Sequence, residues 1–159
     1  MKEYEVINYP DGQGGAKRIS GDWYNNDSVV IKERINSYSD VFKILAINDA
    51  LKPMRKKIFL EIPCLFGQRG DRRFNGMESF DLKLICEVLN TCGFELIKIF
   101  DPHSDVCLAL LNNSERIGPD SFLESALNAE NPDVLISPDA GAYKKVFEFA
   151  VGHRLATEA

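Results

Sequence analysis

The chain has 159 residues, which is enough for about one domain. Hydrophobic residues make up 45% and charged residues 27%, a balance that excludes a collagen-like, coiled-coil or wholly disordered chain. The net charge of −5 disfavours general binding to nucleic acids or membrane surfaces, because the mean field of the protein repels phosphate groups. No run of 18 apolar residues and no C-x-x-C pair is present, so we expect a reduced, cytoplasmic protein without a membrane span.

Two short strands are predicted first, because apolar and polar positions alternate around a turn-rich Pro-Asp-Gly-Gln-Gly-Gly run at residues 10–15. Short apolar runs predict further strands at Ser28–Lys32, Lys57–Ile62, Leu96–Phe100 and Val134–Ile136. Helical spacing of apolar residues predicts helices at 38–54, 79–92, 121–128 and 142–150. The first helix has Ser39 or Asp40 available as its N-cap, and Pro53 is expected to end it by residue 52.

Strands that alternate with helices in this way are typical of parallel β-α-β units. We therefore predict an α/β fold in which a mostly parallel sheet carries helices on both of its faces. The length of the chain favours a single three-layer domain that extends over residues 1–159.

Polar residues follow three of the predicted strands. An arginine-rich loop, residues 69–73, follows the strand at 57–62; Asp101 and His103 follow the next strand, and Asp139 follows the last one. In open parallel sheets ligands bind outside the carboxyl ends of the strands, so these residues line one crevice if the three strands are parallel and adjacent. Guanidinium groups that grip phosphate oxygens, together with carboxylates that bind a hard cation, are expected for a polyphosphate held with Mg²⁺.

Each of these groups also has an ordinary structural interpretation. Asp101 and His103 fit either a magnesium–phosphate site or caps for the following helix. The arginine-rich loop fits either phosphate contact or a solvated loop with weak local ion pairs. Asp139 precedes a helix, and it fits either metal or sugar-hydroxyl binding or an N-cap. The residues alone leave these alternatives open.

Taken in chain order, the motifs resemble those of the N-terminal half of the ribose-phosphate diphosphokinase (phosphoribosyl-pyrophosphate synthetase) family, and most of all its short phage-type members. Residues 9–13 resemble the family's aromatic-Pro-Asp-Gly-Glu loop, and Ile62-Pro63 followed by Arg69-Gly70-Asp71-Arg72 resembles its Ile-Pro strand end and Arg-Gln-Asp-Arg/Lys loop. The helix after this loop matches as well. Residues 101–104 resemble the Asp-Leu-His-Ala signature, and residues 137–141 resemble the Ser-Pro-Asp-x-Gly-Gly signature.

The resemblance implies a phosphoribosyltransferase-like fold and an enzyme of nucleotide biosynthesis. Such an enzyme transfers the β,γ-diphosphoryl group of ATP to the 1-hydroxyl of ribose 5-phosphate, with Mg²⁺. The site residues that it implies are, for ATP, Asp11, Gln13, Arg69, Asp71 and Arg72; for the metal, Asp101, His103 and Asp139; for catalysis, His103; and for the sugar phosphate, Asp139 and Gly141. Family members assemble into dimers and larger rings, so a homo-oligomer is expected in which Asp11 reaches the adenine bound to a neighbouring subunit.

The sequence departs from the family pattern at several points. Gln13 stands where the family has a carboxylate, Gly70 where it has Gln, and Ala142 where a second Gly is common. The family's second α/β domain, which grips the 5-phosphate, has no counterpart in these residues. Two alternatives therefore stand beside the ATP-binding half of the enzyme. One is a non-catalytic nucleotide-binding or regulatory subunit that associates with a complete synthetase, and the other is a diphosphokinase that acts on another ribose-5-phosphate derivative such as ADP-ribose.

Overall fold

The computed structural model of the chain describes residues 4–18, 27–153 and 155–158. The chain divides into two compact units, Met1–Ile117 and Gly118–Ala159. The single domain expected over residues 1–159 stays a prediction. Within the described ranges, no helix has both the length and the apolar character needed to cross a membrane.

The first unit begins with an antiparallel β-hairpin made of β1 (Tyr4–Asn8) and β2 (Gly14–Arg18). Two backbone hydrogen bonds close the turn: Tyr9 N–H donates to the Gln13 carbonyl at 2.9 Å, and Gly12 N–H donates to the Tyr9 carbonyl at 3.0 Å. Gly12 has a φ of +87°, in the left-handed region that residues with a Cβ rarely adopt. The two strands and the turn expected at this place are therefore confirmed.

A four-stranded parallel sheet forms the centre of the first unit. Its strands are β3 (Ser28–Lys32), β4 (Lys57–Ile62), β5 (Leu96–Phe100) and β6 (Ser114–Ile117). They lie side by side in chain order, and each neighbouring pair is parallel. This confirms the predicted α/β class, although β6 is not among the predicted strands.

Helices connect the strands of this sheet, as the alternating pattern predicts. They are α1 (Tyr38–Leu51), which continues into a 3-10 turn at Lys52–Met54, then α2 (Asp81–Asn90) and the short α3 (Val106–Leu110). The first helix ends before Pro53, as expected. The second is shorter than predicted by two residues at each end, and α3 is not among the predicted helices.

The start of α1 differs from the prediction. The N-cap is Ser37, rather than Ser39 or Asp40. Asp40 lies in the first turn, where its carboxylate accepts hydrogen bonds from the Asn36 N–H at 2.9 Å and from Ser37 Oγ at 3.0 Å. Lys43 Nζ donates to the other oxygen at 2.7 Å, and this bond lowers the pKa of Asp40. An acidic side chain in the first turn thus reaches back to the residues that precede the helix.

The core lies on one face of the sheet. Alternate strand residues are buried there: Val29, Ile31, Leu60, Ile62, Ile97 and Ile99. Apolar residues of α1 and α2 complete this core: Ile44, Ile47, Leu51, Leu82, Ile85 and Leu89. The other face is more open, since Val30 is 47% exposed and the Lys32 ammonium lies over the Phe100 ring, 5.7 Å from its centroid. The period-2 alternation within these strands therefore separates a dry face from a partly solvated one.

All four cysteines are free thiols, and Cys86, Cys92 and Cys107 are buried. Burial raises the pKa of Cys86 to about 12, because the thiolate loses its hydration there. These three thiols behave as small apolar side chains of the core.

The second unit contains α4 (Asp120–Glu130), β7 (Val134–Ile136), α5 (Tyr143–His153) and β8 (Ala156–Glu158). The first three correspond to predicted elements, and both helices extend beyond their predicted ends. The strands β7 and β8 form a two-stranded parallel sheet. Phe149 and Ala150 of α5 are the buried apolar residues of this unit.

Candidate functional site

The carboxyl ends of β4 and β5 place two predicted groups of site residues next to each other. These strands are parallel neighbours, and Ile62 lies opposite Ile99 in their register. The arginine-rich loop therefore leaves the sheet at the same edge as the segment 101–105, which we call the His103 loop. This part of the predicted crevice follows directly from the strand order.

Val134–Ile136 does not pair with these strands in the described sheets, so the adjacency that the three-strand crevice requires is present only for the first two loops. Both sides of β5 are already paired, with β4 on one side and β6 on the other. The strand β7 instead pairs with β8, within the second unit. The reason is the unpredicted strand β6, which takes the position next to β5.

A third segment reaches the same edge from β3. Residues 33–36 extend this strand beside the start of the loop after β4, where Ile35 N–H donates to the Cys64 carbonyl at 2.8 Å. Phe66 N–H in turn donates to the Ile35 carbonyl at 2.7 Å. Ile35 and Leu65 are both buried, so the loop after β4 is anchored in the core before it reaches its arginines.

Asp71 is buried where the arginine-rich loop meets the His103 loop, and its side chain is only 3% exposed. Its carboxylate accepts a hydrogen bond from Arg72 Nε at 2.9 Å and one from Ser104 Oγ at 2.9 Å. These two bonds, and then the positive charge of Arg72, hold the pKa of Asp71 below its usual value despite the burial. The carboxylate is therefore ionised at neutral pH, and these hydrogen-bond partners are side chains of the protein itself.

The cations of the arginine-rich loop differ in their surroundings. The side chain of Arg72 is bound to Asp71, yet 68% of it remains exposed. Arg69 and Arg73 are exposed, and neither forms an ion pair within the described part of the chain. At Gly70 an added Cβ would lie 3.3 Å from the Gly67 carbonyl oxygen, so a side chain would crowd this turn. Two guanidinium groups thus face solvent, where they could meet an anion.

The His103 loop begins with an unusual backbone. Asp101 has a φ of +39°, and its N–H donates to the Ile117 carbonyl at 2.8 Å. Pro102 is buried, whereas Asp101 and His103 are exposed. A left-handed conformation in a residue other than glycine costs free energy and is found often at functional sites.

The donors of this loop fit a magnesium ion that is already bound to phosphate. Within the residues that the structure describes, no three His, Cys, Asp or Glu side chains come together as a complete metal site. Mg²⁺ keeps several waters and is usually held by one or two carboxylates plus phosphate oxygens. Asp101, with His103 close to it in the chain, provides a donor set of that partial kind.

The hairpin turn carries the predicted residues Asp11 and Gln13. Both are exposed, and Asp11 Oδ1 accepts a hydrogen bond from the Gln13 N–H at 3.0 Å. Gln13 also lines a cleft of about 740 Å³, together with Tyr38 and Phe42 at the start of α1. The predicted ATP contact of both residues, and that of Asp11 with an adenine bound to a neighbouring subunit, stay predictions.

Asp139 and Gly141 belong to the second unit, between β7 and α5. Asp139 Oδ1 accepts a hydrogen bond from the Ala142 N–H at 2.8 Å, so this carboxylate closes the turn that leads into the helix. The buried Ser137 supports the turn, since its Oγ donates to the Asp139 carbonyl at 2.7 Å. The capping interpretation of Asp139 describes its contacts here, and its predicted role at the sugar and the metal stays a prediction.

Two residues that the sequence analysis did not select also take part in the site. Gln68 Oε1 accepts a hydrogen bond from the His103 backbone N–H at 2.7 Å, and Ser104 binds Asp71. Gln68 lies directly before the arginine-rich loop, and Ser104 is the last residue of the 101–104 motif. Their only signal in the sequence is a polar side chain at or beside a motif, and this signal is too common to single them out.

Comparisons with known proteins agree with this architecture. No family model matches the chain. A crystal structure of phosphoribosylpyrophosphate synthetase from Mycobacterium smegmatis superposes with a TM-score of 0.78 and 17% sequence identity, over 98% of this chain and 54% of that one. The chain therefore has the α/β fold of a phosphoribosylpyrophosphate synthetase over about half of that protein's length.

A sequence relationship leads to the same family. A ribose-phosphate pyrophosphokinase from Sulfurisphaera tokodaii is 27% identical over 147 residues, which are 89% of this chain and 50% of that protein. The chain is thus similar to a ribose-phosphate pyrophosphokinase, and the family resemblance inferred from its motifs is confirmed, while the likeness to short phage-type members stays a prediction. It spans about half the length of the relative that it matches.

Proposed function

We propose that this chain binds Mg-ATP at the carboxyl ends of β4 and β5, as the ATP-binding half of a ribose-phosphate diphosphokinase site. The observation that carries the proposal is that the arginine-rich loop and the His103 loop leave the same sheet edge and are joined by side-chain hydrogen bonds. The relationship to a ribose-phosphate pyrophosphokinase supports the same class of reaction.

In this proposal the exposed guanidinium groups hold the polyphosphate. Within the arginine-rich loop, Arg69 and Arg73 are exposed and form no ion pair with any described residue, and Arg72 adds positive charge beside them. Asp101 and His103 hold the Mg²⁺ that accompanies ATP, and the ion neutralises charge on the phosphate oxygens. Phosphoryl-type transfer depends mainly on such positioning and charge neutralisation, and the residues present suit both tasks.

The proposed reaction is a diphosphoryl transfer to a sugar. The 1-hydroxyl oxygen of ribose 5-phosphate bonds to the β-phosphorus of ATP, and the bond from this phosphorus to the α,β-bridging oxygen breaks. AMP leaves with that oxygen, and the hydroxyl proton passes to water. Arg69 and His103 are then the residues that orient the transferred group, while Asp139 and Gly141 are proposed to contact the sugar phosphate.

The remaining expectations belong to the same proposal. Asp11 is proposed to contact the adenine bound to a neighbouring subunit of a homo-oligomer, and Gln13 is proposed to contact ATP. Sedimentation velocity at rising protein concentration tests the assembly, and a strictly monomeric profile would contradict it. Because the chain spans half of its relative, the acceptor sugar phosphate and the complete reaction are proposals as well.

The decisive experiment measures nucleotide binding and turnover on the same protein. Isothermal titration with Mg-ATP gives the affinity, and phosphorus NMR follows AMP after ribose 5-phosphate is added. We expect Arg69→Ala and His103→Ala each to weaken Mg-ATP binding by about tenfold, the loss typical of one charge-assisted contact. Lys83→Ala is the matched control, since it removes one positive charge from the exposed surface of α2.

The outcomes separate the candidate functions. AMP that depends on ribose 5-phosphate and disappears in His103→Ala supports the diphosphokinase. Mg-ATP binding without AMP supports the non-catalytic nucleotide-binding subunit, and AMP formed only with ADP-ribose supports the other acceptor. Equal affinities for the parent protein, Arg69→Ala and Lys83→Ala would overturn the proposed site.

A further inference from the structure

The His103 loop is held by two side chains of the loop that follows β4. Gln68 Oε1 accepts a hydrogen bond from the His103 N–H at 2.7 Å, and Asp71 Oδ2 accepts one from Ser104 Oγ at 2.9 Å. Two consecutive residues of one loop are therefore fixed by two residues of the other. The separation along the chain is more than 30 residues, so these contacts join distant segments.

Gln68 is itself fixed to the core. Its Nε2 donates to the Leu65 carbonyl at 2.9 Å, and Leu65 is buried beside Ile35. The oxygen of the side-chain amide thus accepts a hydrogen bond from His103, and its nitrogen donates one to the backbone of the core. Only an amide side chain of this length offers both an acceptor and a donor in this arrangement.

We propose that Gln68 is a positioning residue, which fixes the backbone of His103 before the nucleotide arrives and so raises the affinity for Mg-ATP. The inference rests on the proposed function, because it names a residue that acts on the same site through His103. A loop that is ordered in advance loses less conformational entropy on binding, and this is how a residue without ligand contact increases affinity. The bond between Asp71 and Ser104 holds the side chain of the next residue in the same loop.

The test compares Gln68→Ala with Gln68→Glu. The alanine variant removes both hydrogen bonds, whereas the glutamate keeps an acceptor for the His103 N–H, replaces the donor to Leu65 by an acceptor and adds a negative charge. Asn75→Ala is the matched control, because the Asn75 amide makes its hydrogen bonds within its own loop, to Glu78 and to the Met77 N–H. Thermal unfolding checks that all three variants fold.

The first readout needs no ligand. In a nitrogen–proton correlation spectrum, we expect the His103 amide resonance to shift and broaden in Gln68→Ala. It should stay close to its original position in Gln68→Glu and in Asn75→Ala. An unchanged His103 resonance in Gln68→Ala would overturn the positioning role, whether or not the protein binds nucleotide.

The second readout is a double-mutant cycle on Mg-ATP affinity. Gln68→Ala is expected to weaken binding about tenfold in the parent protein, and to have no further effect in the His103→Ala background. Equal losses in both backgrounds would overturn an action through His103. If the parent protein fails to bind Mg-ATP while the His103 resonance still depends on Gln68, the proposed function falls and the structural coupling between the loops stands.

Discussion

Among the described residues, Asp71 is the one side-chain carboxyl group that the fold buries. A buried carboxylate is tolerated only when it is paired and hydrogen-bonded, and Arg72 and Ser104 meet both conditions. Both hydrogen-bond donors are side chains of this protein. Asp71 therefore joins the two loops, and its predicted contact with ATP stays a prediction.

The lowered pKa of Asp71 makes its contribution to stability dependent on pH. A carboxyl group whose pKa is depressed by folding stabilises the protein above its ordinary pKa of 3.8, and this stabilisation disappears as the pH falls through the lower value of the folded state. We expect Asp71→Asn to lower the free energy of unfolding by about 1 kcal/mol at neutral pH, with a difference that shrinks below about pH 4. Urea unfolding of both proteins across this range measures it.

A suitable control for that experiment is Asp49→Asn, which changes an exposed acid on α1. Its effect should be small at every pH. A constant difference between Asp71→Asn and the parent protein, from neutral to acidic conditions, would contradict the argument from the pKa.

The single residues of the site were predictable only in part. Motif residues such as Arg69 and His103 were predictable, because they carry a charged or metal-binding side chain at a characteristic position after a strand. Gln68 and Ser104 do not stand out, since their importance comes from a contact between segments more than 30 residues apart. Only the folded chain brings such residues together.

At the scale of elements, the turn that begins the arginine-rich loop depends on Gly67. This residue has a φ of +81°, and an added Cβ would lie 3.0 Å from Ile85 Cδ1 in the core. We expect Gly67→Ala to lower the free energy of unfolding by about 1–2 kcal/mol, since the variant combines an unfavourable backbone with a close contact. Urea unfolding provides the measurement.

Gly76→Ala is the matched control for this prediction. Gly76 lies in the same connection between β4 and α2, but its φ is not in the left-handed region and an added Cβ meets no atom within 4 Å. Its substitution should leave stability nearly unchanged. Similar losses for the two variants would show that the conformation of Gly67 is not the cause.

The pattern of apolar residues predicts some of the helices and strands and misses others. The strands β3, β4 and β5 are short runs of Val, Ile, Leu and Phe with buried alternate residues, and they were predicted with their observed bounds. The strand β6, Ser114–Ile117, has the sequence Ser-Glu-Arg-Ile and lies at the edge of the sheet. An edge strand whose two central residues are exposed gains its structure from pairing, so its sequence carries little apolar signal.

At the scale of the whole molecule, stability of the first unit depends on the buried face of the sheet. Leu60 is fully buried at the centre of β4, between Ile31 and Ile97 of the neighbouring strands. We expect Leu60→Ala to cost about 3 kcal/mol, because it leaves a cavity in a closed core. Val30→Ala, on the open face, should cost less than about 1 kcal/mol. Urea unfolding followed by fluorescence compares the two, and equal costs would contradict the asymmetry of the sheet.

The order of the strands also has a consequence for hydrogen exchange. The strands β4 and β5 lie inside the sheet, so each has a hydrogen-bonded neighbour on both sides. Their amides can meet solvent deuterium only when this part of the protein opens, and such openings are the rarest fluctuations of a fold. The arginine-rich loop follows β4 and the His103 loop follows β5, and we expect the amides of both strands to exchange slowly. The two loops are therefore held by strands that keep a fixed spacing while a ligand binds between the loops.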